Sequence, residues 1–177
     1  MTVLGRWLRI GIVVIACART EPAPRVEDSA SMPDDVFALI ERLAALIPFG
    51  SEAVSRSVGV PLEKTEGGSN PYFTTYKGSA PDSGALVRGV ELRVRDRPER
   101  GRDGMLIVDV APSDCVRQRD AMGRYGSPTN VRPPSPHGPS GVPTYLEYTQ
   151  PWGTLSLGFA RQEPGCLTRA VLDATGS

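Results

Sequence analysis

The chemistry open to this chain is bounded first by its histidines, of which there is one, His137. A serine or cysteine nucleophile needs a base held within hydrogen-bond reach. His137 lies in "VRPPSPHGPSGVP", and a Pro/Gly-rich segment is a poor platform for such a base, so it reads as a loop histidine. No Gly-x-Ser-x-Gly, His-Glu-x-x-His or phosphate-binding glycine loop occurs. Cys115, Cys166 and the distant His137 lack the paired spacing that zinc sites need. No metal and no cofactor are therefore expected. Two carboxylates could still cleave a glycan, but Asp34 and Asp35 read as the acidic first turn of a helix, and Glu147 as the outward side of a strand. No catalytic residue is assigned.

The residue types that favour binding are better represented. Arg88, Arg93, Arg95, Arg97, Arg100 and Arg102 crowd one stretch, with Glu91, Asp96, Glu99 and Asp103 among them. Mixed signs point to a solvated strand face and hairpin tip. The alternative is an interaction edge, because a guanidinium fork matches carboxylates or anionic glycans. The segment Ser127 to Val142 contains Pro128, Pro133, Pro134, Pro136 and Pro139, which stiffen it and lower the entropy lost on binding. Trp152 falls in the turn "QPWG", where a large aromatic either anchors an interface or folds back on Tyr145 or Tyr148. The candidate binding residues are thus Trp152, His137, Arg132 and Tyr145.

The remaining cysteine, Cys17, ends the short apolar run "RIGIVVIAC". A membrane-spanning helix needs about 20 apolar residues, far more than this run supplies. Two arginines, a short apolar core and a small residue before the cysteine describe an export signal over residues 1–16. "VIAC", Val14 to Cys17, resembles the lipobox of bacterial lipoproteins. That resemblance implies diacylglyceryl attachment to Cys17, cleavage before it and a further acyl chain on the new amine. Two or three chains hold a domain to a bilayer where one does not. Ala18 in place of aspartate implies sorting to the outer membrane, with the domain facing the periplasm. With Cys17 acylated, Cys115 and Cys166 remain as an even pair in an exported domain, which implies a disulfide.

Elements must then position these residues. Residues 18–33 are rich in proline and small polar types, too poor in apolar surface to offset ordering entropy. They read as a flexible tether, leaving residues 34–177 as one domain. Without Arg6 and Arg9, a chain of 20 basic and 20 acidic residues keeps a slight acidic excess, which argues against nucleic acid. Val36, Leu39, Ile40, Leu43 and Ile47 recur at helical spacing, capped by Ser31 or Asp34 and stopped at Pro48. A second helix runs from Ser51, as N-cap, to Gly59-Val60-Pro61, with Gly59 in the αL ending position. Strands are expected over 72–78, 85–95 and 104–110, with "DRPERGRD" as an exposed hairpin loop. A third helix is expected from Ser113, as N-cap, to Tyr125, then Gly126-Ser127-Pro128. Three more strands follow over 144–149, 154–160 and 166–173.

The fold class expected is α+β: an N-terminal helix and then two units of helix plus three-stranded antiparallel meander (α-α-βββ-α-βββ), with Cys115 in the first turn of the third helix. The helix, Gly-x-Pro and strand pattern resembles accessory lipoproteins of outer-membrane barrel assembly and secreted β-lactamase inhibitor proteins built from two repeats. That resemblance implies a non-catalytic envelope protein whose partner is another protein, of inhibitor or immunity type. The alternatives are an assembly subunit and a carboxylate-dependent hydrolase of the cell wall or of glycans.

Overall fold

A computed structural model describes residues 34–81, 84–99, 102–111, 113–134, 141–162 and 165–175. These form three helices and eight strands: α1 (Asp34–Ala44), α2 (Ser51–Val58), β1 (Glu63–Asn70), β2 (Phe73–Ser79), β3 (Val87–Glu99), β4 (Arg102–Val110), α3 (Gln118–Tyr125), β5 (Asn130–Arg132), β6 (Thr144–Gln150), β7 (Gly153–Phe159) and β8 (Leu167–Asp173). All eight strands join one antiparallel sheet in the order β1-β2-β3-β4-β8-β7-β6-β5. Each half of the chain therefore builds a four-stranded meander, and the two meanders meet side by side where β4 pairs with β8.

This corrects the α+β layout of two three-stranded units. β1 and β5 escape the sequence reading for a physical reason. Both are edge strands, which pack against one neighbour only and need no apolar alternation. β1 reads "EKTEGGSN" and is mostly exposed. β5 is three exposed residues within the proline-bearing segment expected to be a loop. The expected "DRPERGRD" hairpin loop is also corrected, since Glu99 pairs with Arg102 and the strands run on to the tip.

The core lies between one face of the sheet and the helices. Leu39, Ile40 and Leu43 of α1, Val54 of α2 and Ala121 of α3 join Leu92, Leu106, Leu157 and Leu172 in one buried cluster. Period-2 alternation gives this face to one parity of each strand: Leu106, Val108 and Val110 are buried while Met105, Ile107 and Asp109 are half-buried. An aromatic column ties the helices down, with Phe37 of α1, Tyr125 of α3 and Tyr148 of β6 in sequential ring contact at 5.7 and 5.4 Å.

The helix ends show where local rules held. Gly59 closes α2 at φ 69 and Val60 behind it is buried, as expected for an αL ending. Ser51 is the first helical residue, and Gly50 rather than Ser51 takes the N-cap position. α3 begins at Gln118 rather than at Ser113, because Asp120 reaches back to accept the Arg117 backbone N–H at 2.8 Å. Cys115 consequently lies in the segment leading into α3, not in its first turn. It is bonded to Cys166, just before β8, with Cα atoms 5.0 Å apart. Beside the bridge the Leu167 N–H donates to the Val116 carbonyl at 2.8 Å, so disulfide and hydrogen bond together hold this segment against the last strand. Ser31 and Pro33 lie outside the described residues.

Candidate protein-binding face

Strand parity puts the other half of the side chains on the face opposite the helices. Among the described residues this open face carries no helix. Its centre is an apolar stripe from the two central strands: Met105 and Ile107 of β4 and Val171 of β8, with Ile107 and Val171 in direct register. All three are half-buried. A groove of about 380 Å³ runs from this stripe toward β6, bounded by Ser156, Tyr145 and Glu147.

Charges surround the stripe, and cross-strand register pairs them. Lys77 of β2 stands opposite Glu91 of β3, with Nζ and Oε2 3.0 Å apart. Arg93 joins the same carboxylate at 2.5 Å. Burial alone would raise the Glu91 carboxyl, but hydrogen bonds and charge from Lys77 and Arg93 outweigh it and hold the group below its ordinary value. At one end of the stripe, on the same two strands, Asp109 stands opposite Arg169, and Arg169 Nε donates to Asp109 Oδ1 at 2.6 Å. That bond outweighs partial burial and, with help from Tyr145, raises Arg169 further. On the far side Glu147 accepts from Asn130 at 2.9 Å and pairs with Arg132 at 3.0 Å.

Two further register pairs are cation–π contacts. Arg132 opposes Tyr145, its guanidinium carbon 5.2 Å from the ring centroid. Arg95 opposes Phe73 in the same geometry, also at 5.2 Å. The face is thus apolar in its middle and polar at its rim, with most of its charges already held by partners in this chain. Such a division is the anatomy of a protein interface.

Of the residues singled out from sequence, Arg132 and Tyr145 come together on this face. Trp152 does not join them: it is half-buried and packs against the core. His137 and Cys17 lie outside the described residues. Sequence reasoning missed Phe73, Met105, Ile107 and Val171 as parts of a surface. A signal existed in "GMLIVDV": a strand apolar on both parities must lay half of its side chains on the face that the helices do not cover.

Among the described residues no three His, Cys, Asp or Glu side chains gather as a metal site. No helix among them is long and apolar enough to cross a membrane. Neither a protein family, nor a curated protein, nor a solved structure matches the chain.

Proposed function

We propose that this chain is a non-catalytic binding protein of the cell envelope that engages another protein through the open face of its sheet. The observation that carries the reading is the stripe of Met105, Ile107 and Val171, half-buried at the centre of an otherwise polar face. Apolar surface left at the middle of a pre-ordered sheet, rimmed by satisfied charges, favours a partner that removes it from water. The state of three acids on this face supports binding over glycan hydrolysis. Asp109 is held by Arg169, Glu147 by Arg132 and Asn130, and Asp173 accepts from the Thr175 backbone N–H at 2.9 Å. Each is thus engaged by donors of this chain. Within the binding class the inhibitor or immunity type is preferred to an assembly subunit, because a rigid sheet face needs little reordering on capture.

Envelope attachment through acyl chains at Cys17 is part of the proposal. Cys17→Ser should move the protein from the membrane to the soluble fraction and abolish fatty-acid labelling. Retention on membranes without label would sink this part.

Site-specific photo-crosslinking in envelopes tests the face. A crosslinker at position 107 should give a discrete protein adduct, and one at position 122, which is exposed on α3, should not. Equal adducts at both positions would overturn the reading. So would glycan cleavage by the purified full chain that Glu147→Gln abolishes, which would return the protein to the hydrolases.

A further inference from the structure

Among the described residues Tyr72 is the most exposed large hydrophobic side chain, at 75%. It lies in the two-residue turn, Pro71 and Tyr72, that joins β1 to β2. A single exposed aromatic is ordinary. One that the fold holds rigidly in water is less so, and several side chains act to hold this turn.

Asn70 Oδ1 accepts the backbone N–H groups of Tyr72 and Phe73 at 2.8 and 3.0 Å, and Pro71 fixes its own φ. Behind the turn the ladder between β1 and β2 is irregular, since its register shifts between Thr65 and Asn70. Side chains bind the two strands there instead. Ser69 Oγ donates to the Thr65 carbonyl at 2.7 Å and accepts the Thr75 N–H at 3.0 Å. Thr75 Oγ1 donates to the Gly68 carbonyl at 2.6 Å, and Thr75 is buried. A Cβ on Gly68 would stand 3.1 Å from Thr75 Cγ2, so the strands approach closely at that point. Arg95 stacked on Phe73 ties the base of the turn to β3. An edge hairpin that contains Gly67-Gly68 would otherwise bend easily.

We propose that Tyr72 is an interface anchor, carried on this pre-ordered hairpin tip into an apolar pocket of the protein that covers the open face. The proposal rests on the protein-binding reading above. Tip and stripe are continuous: Phe73 and Met105 border one recess of about 250 Å³, and Met105 also borders the central groove with Ile107 and Val171. Tyrosine brings a large ring and a hydroxyl on two rotatable angles, so it loses little entropy on capture. The bonds from Asn70 have already ordered the backbone that carries it. The partner that fits is a protein with a concave pocket beside a flatter apolar patch. Its pocket would supply a hydrogen-bonding group for the phenol.

The test is photo-crosslinking of the full chain in envelopes, with adducts identified by mass spectrometry. A crosslinker at position 72 should capture the same protein as one at position 107, and one at position 64, exposed on β1, should not. Tyr72→Ala, with an unchanged melting temperature, should lower the yield at position 107 at least about tenfold, the scale of an interface hot spot. Lys64→Ala should leave that yield as it is. Asn70→Ala keeps the tyrosine but frees the turn. It should increase the fast backbone motion of residues 70–73 in NMR relaxation and lower the yield at 107 as well. No adduct at 72, an adduct there with lipid, or different proteins at 72 and 107 would each overturn the anchor. An unchanged yield at 107 in Tyr72→Ala removes the anchor and leaves the binding face standing. A protein adduct at 72 that Asn70→Ala weakens, with none at 107, does the reverse.

Discussion

At the scale of single residues, the described chain holds two ionisable groups with opposite pH behaviour. Burial, reinforced by Glu41, pushes the Tyr125 hydroxyl up to about 12. The folded state keeps that proton while the unfolded chain loses it near the ordinary value of 10.0. Stability that is complete below that value should decline as pH rises toward about 12. Tyr125→Phe should remove this part of the alkaline loss, read as melting temperature against pH. Ultraviolet difference absorbance should show one phenolate ionising late. Glu91 runs the other way. Its folded value is depressed below 4.5, so its contribution is present above that pH and lost as acid protonates it. Glu91→Gln should cost about 1 kcal/mol at neutral pH, the upper range for a partly exposed pair. It should also flatten the acid limb of the stability profile. An unchanged acid limb would show that Lys77 and Arg93 do not act on Glu91 in this way.

Elements show which local rules decide a structure and which are overruled. Gly153, which begins β7, has φ 142, and a Cβ there would stand 2.1 Å from the Asp173 carbonyl oxygen. Gly153→Ala should cost roughly 1–3 kcal/mol from backbone strain alone. Gly123, inside α3, has open space around it, so Gly123→Ala should stabilise by up to about 1 kcal/mol through helix propensity. Denaturant midpoints of the two variants should therefore move in opposite directions. From sequence, Gly153 reads as an ordinary turn glycine after Pro151 and Trp152, since the approach of Asp173 is a long-range fact. The same boundary runs through the rest of the fold. The β2, β4 and β6 segments were legible because apolar and β-branched residues alternate there or run on, and α1 because its apolar spacing repeats over three turns. β1 was hidden by Glu63, Lys64 and the Gly67-Gly68 pair, whose strand state comes from pairing with β2 alone. The site was half legible. Arg93 and Arg95 were visible as one face of a strand, and Arg132 with Tyr145 as candidate contacts. That all of these share a face depends on the order of the strands, and no local pattern encodes that order.

For the whole molecule, the seam between β4 and β8 is the structural centre. Both strands are flanked on either side, so their amides should exchange most slowly with solvent, and those of β1 and β5 fastest. Uniform exchange across the sheet would contradict this. The Cys115–Cys166 bridge closes a loop with a sequence separation of 51, and removing it through Cys115→Ser with Cys166→Ser should cost roughly 4 kcal/mol by the loop-closure argument. Loss in β8 should exceed loss in β2, because the bridge sits at the start of β8. The strand order carries a further consequence for timing. β8 follows every other element in the chain, yet it occupies one of the two central positions. Until it arrives, β4 and β7 both present bare edges and the two meanders have nothing to join them. The sheet cannot close before β8 has been made. Two half-sheets with bare inner edges are therefore the stage of folding at which this chain is most open to pairing with another copy.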